Sequence, residues 1–289
     1  MSAASLTWGG RSIPGPDGLP AVVVSLTGPS LAHARAQARR AIDAGADVLE
    51  LRVDLLEEAG TLAAPDPLDA ATAAAQVLEC LRGLGEAIDT TDGAAAGSPV
   101  LLTCRTAAEG GRAHLDDAAY GALLRSVLDG LADWAPERRP AAIDVEVQRG
   151  YLRRVCEQAH ELGIDVVASF HDFEATPPDE VLEEVLARMA SEGADLAKIA
   201  VWPTSAADVA RLLGVCARAT AGRGEGTGPG VPVAAMSMGA LGAVSRVAPA
   251  FGSALTFAVV PDEQGEAQAS APGQMPIQDV RRCLELLRA

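Results

Sequence analysis

The stretch AVVVSLTGPSLAHARAQARRAIDAGADVLELRVD, residues 21–54, contains two apolar runs separated by a helical segment. The runs AVVVSL (21–26) and DVLELRVD (47–54) are short and rich in β-branched and apolar residues, which is typical of strands buried on both faces of a parallel sheet. Between them, Ser30 can cap a helix that continues to about Ala44, and Gly45 can end it. The stretch therefore predicts a strand–helix–strand unit.

The same alternation continues to the end of the chain. Further strands are predicted at 99–106, 141–147, 165–172, 195–202, 232–238 and 254–260. Further helices are predicted at 69–83, 116–134, 149–162, 177–193, 205–220 and 277–288. Eight alternating strands and helices predict an α/β fold, a (β/α)8 TIM barrel. Residues 1–20, rich in Gly and Pro, are expected to form a short hairpin or cap on the barrel floor, which assigns residues 21–289 to the barrel domain.

Three segments between these elements have the composition of loops, namely 58–68, 84–98 and 221–232. The last is rich in glycine, but it lacks the GxxxxGK[ST] pattern and precedes a strand rather than a helix. A surface connection is therefore expected there and not a phosphate-binding loop.

Composition and charge narrow the function classes. The 289 residues carry a net charge of −16, and no basic stripe is present to bind a nucleic-acid backbone. The five scattered cysteines have neither disulfide nor metal-ligand spacing, which predicts a reduced, cytoplasmic protein without a metal or other cofactor. The start of the chain has no signal-peptide pattern, and no run of about 18 apolar residues is long enough for a membrane span.

Polar side chains recur near the carboxyl ends of the predicted strands, where TIM barrels build their active sites. They are Ser25, Glu50, Arg52, Asp54, Arg105, Asp144, Glu146, His171 and Lys198. Either they form a buried ion-pair network that braces the barrel, or they form an active site. The first interpretation suits Asp54, Asp144 and Glu146 at least as well as the second.

Lys198 is the only lysine among the 23 basic residues, and it lies in the apolar run DLAKIAVW (195–202). A buried lysine is costly unless it is paired or neutral, and a desolvated amine can attack a carbonyl carbon. Arginine cannot replace it, because guanidinium stays protonated in proteins. Such a lysine is suited to Schiff-base chemistry, and for Lys198 and His171 the bracing interpretation is the weaker one. The other histidines, His33, His114 and His160, are expected at the surface.

Nine segments, taken together and in order, resemble the type I 3-dehydroquinate dehydratases of the shikimate pathway. They are VVVSLTG (22–28), ADVLELRVD (46–54), LLTCRTAAEGG (101–111), IDVEV (143–147), SFHDFEATP (169–177), ADLAKIAVWP (194–203), MSMGALGAVSRV (236–247), FGSALTF (251–257) and SAPGQ (270–274). The resemblance implies a lyase that dehydrates 3-dehydroquinate to 3-dehydroshikimate through a Schiff base, and it implies a homodimer.

The resemblance also assigns roles to residues. Lys198 is the imine-forming lysine, His171 the general acid/base, and Glu109 the carboxylate that orients His171. The implied substrate-binding residues are Ser25, Glu50, Arg52, Arg105, Arg246, Ser270 and Gln274. Segment 261–274, which is polar and contains Gly265 and Gly273, is expected to be a mobile lid. One departure is Leu51, where many members have an aromatic residue, and this is expected to alter packing under the substrate.

Two other functions are compatible with a lysine on a barrel strand. A class I aldolase-like barrel also forms a Schiff base, but it usually needs a phosphate site near the last two strands. A non-catalytic ligand-sensing barrel keeps the fold, but it is expected to lack the lysine or the histidine. A carboxylate substrate favours an arginine such as Arg246, which binds carboxylates with two hydrogen bonds.

Overall fold

The computed structural model describes residues 5–63, 69–89, 97–221 and 229–288. Its strands are β1 (Leu6–Trp8), β2 (Arg11–Ile13), β3 (Ala21–Leu26), β4 (Val48–Arg52), β5 (Val100–Thr103), β6 (Ala142–Glu146), β7 (Asp165–Asp172), β8 (Leu196–Val201), β9 (Val233–Ser237), β10 (Leu255–Val259) and β11 (Met275–Pro276). Its α-helices are α1 (Leu31–Asp43), α2 (Ala70–Asp89), α3 (Asp117–Leu131), α4 (Leu152–Glu161), α5 (Asp179–Ser191), α6 (Ala206–Ala221) and α7 (Ile277–Leu286). Each of the eight predicted strands contains the strand observed there.

The main sheet is parallel, with the strand order β11-β10-β3-β4-β5-β6-β7-β8-β9. It curls until its two ends meet, and the amide of Ala254, just before β10, donates a 2.7 Å hydrogen bond to the carbonyl oxygen of Val233 in β9. The eight strands β3 to β10 therefore form the predicted TIM barrel. Strands β1 and β2 form a separate antiparallel hairpin.

Side chains alternate between the two faces of each strand, and the two faces pack into different hydrophobic cores. On β4, Leu49 and Leu51 pack in the outer core between sheet and helices, whereas Val48 belongs to the inner core of the barrel. At the amino ends of the strands the inner core is apolar and includes Val23, Val48, Leu101, Ala142, Val167 and Leu196. Towards the carboxyl ends, the inward positions become polar, and this change of chemistry places the candidate site at the carboxyl end of the barrel.

The hairpin closes the amino end of the barrel, as predicted. Trp8 and Ile13 are buried in the inner core. The indole Nε1 of Trp8 donates a 2.8 Å hydrogen bond to Oδ2 of Asp165, at the start of β7. An aromatic side chain with a satisfied N–H can fill this end of the core without leaving a buried polar atom unpaired.

Helix α1 begins as the sequence predicts. The Oγ of Ser30 accepts a hydrogen bond from the amide of His33, which satisfies one of the free N–H groups of the first turn. His33, His114 and His160 are exposed, also as predicted.

The β/α alternation calls for a helix between β9 and β10, although no helical range is predicted there from the sequence, and the described connection contains two short 3₁₀ helices, Ala243–Val247 and Pro249–Phe251. The reason lies in the local sequence. Pro249 lacks an amide hydrogen and cannot continue a preceding helix, and Gly252 follows it with φ of +80°.

Helix α2 is longer than predicted, since residues 84–89 of the predicted loop 84–98 continue it. Leu84 and Ile88 are buried on the same side as Leu81, so the apolar spacing of a helix persists through Gly83 and Gly85. Gly83 has a packing reason, because a Cβ there would lie 2.5 Å from Cδ2 of Leu31 on α1. In the predicted loop 58–68, residues up to 63 are helical, within Glu57–Ala63. The rest of that loop, most of 84–98 beyond Asp89, and most of 221–232 lie outside the described residues.

No helix in the described part of the chain is long and apolar enough to cross a membrane.

Candidate active site

One pocket at the carboxyl end of the barrel brings together the side chains that the sequence predicts for the site. Its lining includes Glu50, Arg52, Arg105, Glu109, His171, Lys198, Arg246, Ser270 and Gln274. Ser25 is connected to the same pocket, because its hydroxyl donates to Glu50 and accepts a 2.9 Å hydrogen bond from Ser270. All ten predicted residues therefore meet in one place.

Lys198 lies in the middle of β8 and is only 4% exposed. Its Nζ lies 4.6 Å from the centre of the Phe257 ring and 3.6 Å from Oδ2 of Asp144. Burial lowers the pKa of the amine below its ordinary 10.5, while the charge of Asp144 opposes this shift. The neutral form of the amine, which is the nucleophile, is therefore more accessible than in a solvated lysine.

His171, at the end of β7, is held by Glu109, from the 3₁₀ helix Ala107–Glu109. The imidazole Nδ1 lies 2.8 Å from Oε2 of Glu109, and the Phe173 ring stacks beside the imidazole with the ring centres 6.4 Å apart. Burial raises the pKa of Glu109 to about 8. Burial and the nearby charges of Arg105 and Lys198 hold the pKa of His171 well below 6.5. The imidazole is thus neutral near pH 7, as a general base must be.

Arg105 lies at the centre of a buried ion-pair network. Its Nη2 donates to Oδ1 of Asp144 at 2.7 Å, and its Nη1 donates to Oε1 of Glu146 at 3.1 Å and to Oγ of Ser169 at 2.9 Å. These bonds fix the guanidinium against strands β6 and β7 while its other side borders the pocket. The bracing network suggested for Asp144 and Glu146 is present, and it positions a cation beside the pocket.

Arg52 and Asp54 form a second buried ion pair. The guanidinium donates from Nε and Nη2 to the two carboxylate oxygens, both at 2.8 Å. Asp54 also accepts the amides of Arg105 and Arg112, at 3.2 and 3.1 Å. Asp54 thus ties the loop after β5 to the end of β4, which is the structural role suggested for it.

Arg246 differs from these arginines, because no acidic side chain of the described residues forms an ion pair with it. It is 2% exposed. Its Nη2 donates to the carbonyl oxygen of Pro272 at 3.0 Å, its Nη1 lies 3.7 Å from Sδ of Met236, and its Nε has no hydrogen-bond partner among the residues that the structure describes. Burial lowers its pKa to about 10. A buried guanidinium with unused donors is suited to an anionic ligand.

The predicted lid, residues 261–274, lies across the pocket between β10 and β11. Ser270 and Gln274 hydrogen-bond to each other, with Nε2 of Gln274 donating to Oγ of Ser270 at 2.9 Å. The backbone passes close to the loop after β9, since a Cβ on Gly273 would lie 2.3 Å from the carbonyl oxygen of Gly239. The pocket beneath has a volume of about 30 Å³, room for roughly two waters.

A family model described as type I 3-dehydroquinase matches residues 22–289. The chain belongs to this family. A 3-dehydroquinate dehydratase of Klebsiella pneumoniae is 36% identical over 270 residues, which cover 92% of each chain. One from Salmonella paratyphi B is 35% identical over 275 residues, covering 94% of each.

Two solved structures of 3-dehydroquinate dehydratases have the same fold. That from Geobacillus kaustophilus matches with a TM-score of 0.77 and 30% identity, covering 98% of this chain and 96% of the other. The type I enzyme from Clostridium difficile, described as containing covalently modified comenic acid, also matches with a TM-score of 0.77, at 28% identity and covering 98% and 97%. As a type I 3-dehydroquinase, the chain is a lyase.

The expectation for Leu51 is wrong. Leu51 is fully buried in the outer core, between the sheet and the helices, whereas its neighbours Glu50 and Arg52 line the pocket. Successive residues of a strand point to opposite faces, so residue 51 of this type I 3-dehydroquinase cannot lie under a substrate in the barrel mouth.

Sequence reasoning missed the partners of Lys198. The sequence favours a bracing ion-pair role for Asp144 but does not pair it with Lys198, and it assigns no role to Phe257. Both lie on inward positions of their strands, and Phe257 is one of only four phenylalanines in the chain. Inward parity combined with rarity is the sequence signal that points to Phe257.

No group of three or more His, Cys, Asp or Glu side chains suited to a metal ion occurs among the residues that the structure describes.

Proposed function

We propose that this type I 3-dehydroquinase converts 3-dehydroquinate to 3-dehydroshikimate through an imine at Lys198, with His171 as the general acid/base. One observation carries the assignment of roles. The only lysine of the chain lies buried in the same pocket as the His171–Glu109 pair. The covalently modified ligand in the Clostridium difficile relative is consistent with a nucleophile in this family's pocket.

Lys198 supplies the electron sink. Its neutral amine adds to the ketone carbon of the substrate, and the adduct takes up the proton that the amine released and loses one water to give a protonated imine. The imine draws electrons from the adjacent carbon–hydrogen bond more strongly than the ketone does. Burial of Lys198 favours this step because it makes the neutral amine accessible.

His171 moves the proton. Its neutral imidazole takes the hydrogen from the carbon beside the imine, and the electron pair left behind forms an enamine. The electrons then return to expel the β-hydroxyl, which leaves as water with the proton that His171 carried. A final water hydrolyses the conjugated imine, releases the product and restores Lys198, so that the balance for the cycle is one water lost from the substrate.

Glu109 keeps His171 in the orientation that this transfer needs. Its Oε2 holds Nδ1, which leaves Nε2 for the substrate. The contact fixes the orientation of the imidazole at the end of β7. Strand β7 pairs with β8 so that Ser169 lies opposite Lys198, which places His171 beside the lysine. The two reactive groups therefore approach neighbouring carbons of one substrate.

Substrate binding is divided between charge and hydroxyl recognition. We assign the substrate carboxylate to Arg246, whose buried guanidinium has donors to spare and no acidic partner in the described residues. The hydroxyls are assigned to Ser25, Glu50, Arg52, Arg105, Ser270 and Gln274. Since Ser270 and Gln274 belong to the lid, the binding site is complete only when the lid is closed.

The wider setting follows from the family. We propose that the enzyme acts in the cytoplasm in the shikimate pathway for aromatic amino acids, as a homodimer that requires neither metal nor other cofactor and binds no nucleic acid. Residues 1–20 serve as a cap and residues 21–289 as the catalytic domain. Sedimentation of the purified protein tests the dimer, because a monomer at micromolar concentration contradicts it.

A paired substrate assay tests the function. With 3-dehydroquinate, the purified enzyme is expected to produce the conjugated enone of 3-dehydroshikimate, and it is expected to retain this activity after treatment with EDTA. With phosphorylated ketoses, no retro-aldol cleavage is expected. Cleavage of a phosphorylated ketose without enone formation would instead support the aldolase-like alternative.

A further inference from the structure

Asp144, in the middle of β6, uses its two carboxylate oxygens differently. Oδ1 accepts hydrogen bonds from Nη2 of Arg105 and from Oγ of Ser169, each at 2.7 Å. Oδ2 has no hydrogen-bond partner among the described residues, although the side chain is fully buried. A buried, unpaired oxygen is costly, so its retention calls for an explanation.

The free oxygen faces the reactive amine. Oδ2 lies 3.6 Å from Nζ of Lys198, which is ion-pair distance but longer than a normal hydrogen bond. The face of the Phe257 ring lies on Nζ at 4.6 Å. Lys198 therefore has one anionic oxygen within reach that no other described group occupies.

The charges around Lys198 leave Oδ2 of Asp144 as the free carboxylate oxygen that can stabilise a cation at Nζ. Arg105, in the loop after β5, and Arg52, at the end of β4, oppose a positive charge on the lysine, whereas Asp144 and Glu50 favour one. His171 on β7 feels the charge of Lys198 but is itself neutral near pH 7. Glu50 already accepts hydrogen bonds from Ser25 and Thr103. Asp144 is thus the carboxylate with a free acceptor for the lysine nitrogen.

We infer that Asp144 is a positioning residue for the imine, with Oδ2 accepting a hydrogen bond from the N–H of the protonated imine at Lys198. This inference rests on the imine proposed above. No bond to Asp144 forms or breaks, and its carboxylate stays ionised because Arg105 holds its other oxygen. The hydrogen bond keeps the proton on the imine nitrogen, where the positive charge makes it an electron sink, and fixes the plane of the imine relative to His171.

The single lysine allows a direct test in the free enzyme. Protein labelled with ¹³C at lysine Cε gives one side-chain resonance, and its pH titration reports the pKa of Lys198 alone. In Asp144→Asn this pKa is expected to fall, because a neighbouring negative charge is removed. Ser169→Ala is the matched control, since it removes a hydrogen bond from Oδ1 but keeps the charge and Oδ2. The control is expected to leave the titration of Lys198 unchanged.

Turnover and trapping complete the test. Asp144→Asn is expected to lower kcat by roughly 10²-fold, as other losses of a supporting contact to a reacting group do. It is still expected to give a borohydride-trapped adduct at Lys198, and Ser169→Ala is expected to lower kcat much less. An unchanged Lys198 pKa in Asp144→Asn, or equal losses of kcat in the two variants, would overturn the inference.

A measurement on the wild-type enzyme keeps the inference testable if Asp144→Asn does not fold. With ¹⁵N at lysine Nζ and bound substrate, a downfield imine N–H proton is expected from a hydrogen bond to a carboxylate. An imine N–H without that shift contradicts the inference while leaving the imine itself established. Absence of any imine in the wild-type enzyme instead rejects the proposed mechanism.

Discussion

The carboxylate of Glu109 and the imidazole of His171 form a buried pair, with Oε2 2.8 Å from Nδ1. Glu109 follows β5 and His171 ends β7, so the pair crosses the strand between them. The other oxygen of Glu109 has no hydrogen-bond partner in the described structure, and Arg105 lies 3.6 Å from Oε2. The pair therefore fixes the imidazole in a site where charge is strongly disfavoured.

Removal of the imidazole separates imine formation at Lys198 from the proton transfer that the elimination of water requires. His171→Ala is expected to lower kcat by roughly 10²–10⁴-fold, the usual effect of losing general acid–base catalysis. An adduct with substrate or product is still expected to form at Lys198, where mass spectrometry after borohydride treatment detects it. Soluble His171→Ala protein with turnover near that of the wild type would show that His171 is only a packing residue.

The pH dependence of kcat is expected to show the titration of Glu109. Burial raises the pKa of Glu109 to about 8, so the carboxyl is protonated below that pH and ionised above it. An ionised Glu109 makes His171 the stronger base, and kcat should therefore rise as pH increases through about 8. Glu109→Gln keeps the size and a hydrogen-bonding group but cannot titrate. Persistence of the same rise in Glu109→Gln would assign it to another group.

Arg246 is expected to determine the affinity for the substrate carboxylate. Arg246→Gln should raise KM by roughly 10²-fold or more, because it leaves a buried anion without its charged partner. Arg218→Gln is the matched control, since Arg218 is exposed on α6 and pairs with Asp179 and Glu183 far from the pocket. Equal KM values for the Arg246 variant and the control would place the carboxylate elsewhere.

The lid is expected to become protected when ligand binds. Glu263 and Glu266 are exposed and allow cleavage by a glutamate-specific protease, while exposed Glu137 on the barrel floor is the reference site. Bound product should slow cleavage at the two lid sites and leave cleavage at Glu137 unchanged, because Ser270 and Gln274 then hold the closed lid. Equal sensitivity of the lid with and without product would argue against a ligand-dependent closure.

Much of the barrel could be predicted from the sequence because the information is local. Buried parallel strands need apolar runs, and each of the eight runs contains a strand. The 3₁₀ connection before β10 departs from the β/α alternation, and the local signals for this departure are Pro249 and Gly252. The extension of α2 was missed because Gly83 resembles a helix stop until its contact with Leu31 is known.

In the candidate site, too, some features could be predicted from the sequence and others could not. Strand position and the single lysine point to Ser25, Glu50, Arg52, Arg105, His171 and Lys198, whereas Glu109, Arg246, Ser270 and Gln274 follow only from the family resemblance. The same alternation places Leu51 on the outer face of β4, away from the pocket. The pairing of Asp144 with Lys198 could not be predicted, because β7 lies between their strands and the contact depends on how far the strands are staggered around the barrel.

Reductive trapping tests whether Lys198 forms a covalent imine with 3-dehydroquinate. Wild-type enzyme treated with borohydride in the presence of 3-dehydroquinate should lose activity and carry one adduct on the peptide that contains Lys198. Lys198→Arg, which keeps the charge but not the nucleophile, should remain folded without detectable turnover or adduct. An unmodified Lys198 in the inactivated wild type, or more than a few per cent of normal turnover in folded Lys198→Arg, would contradict the account.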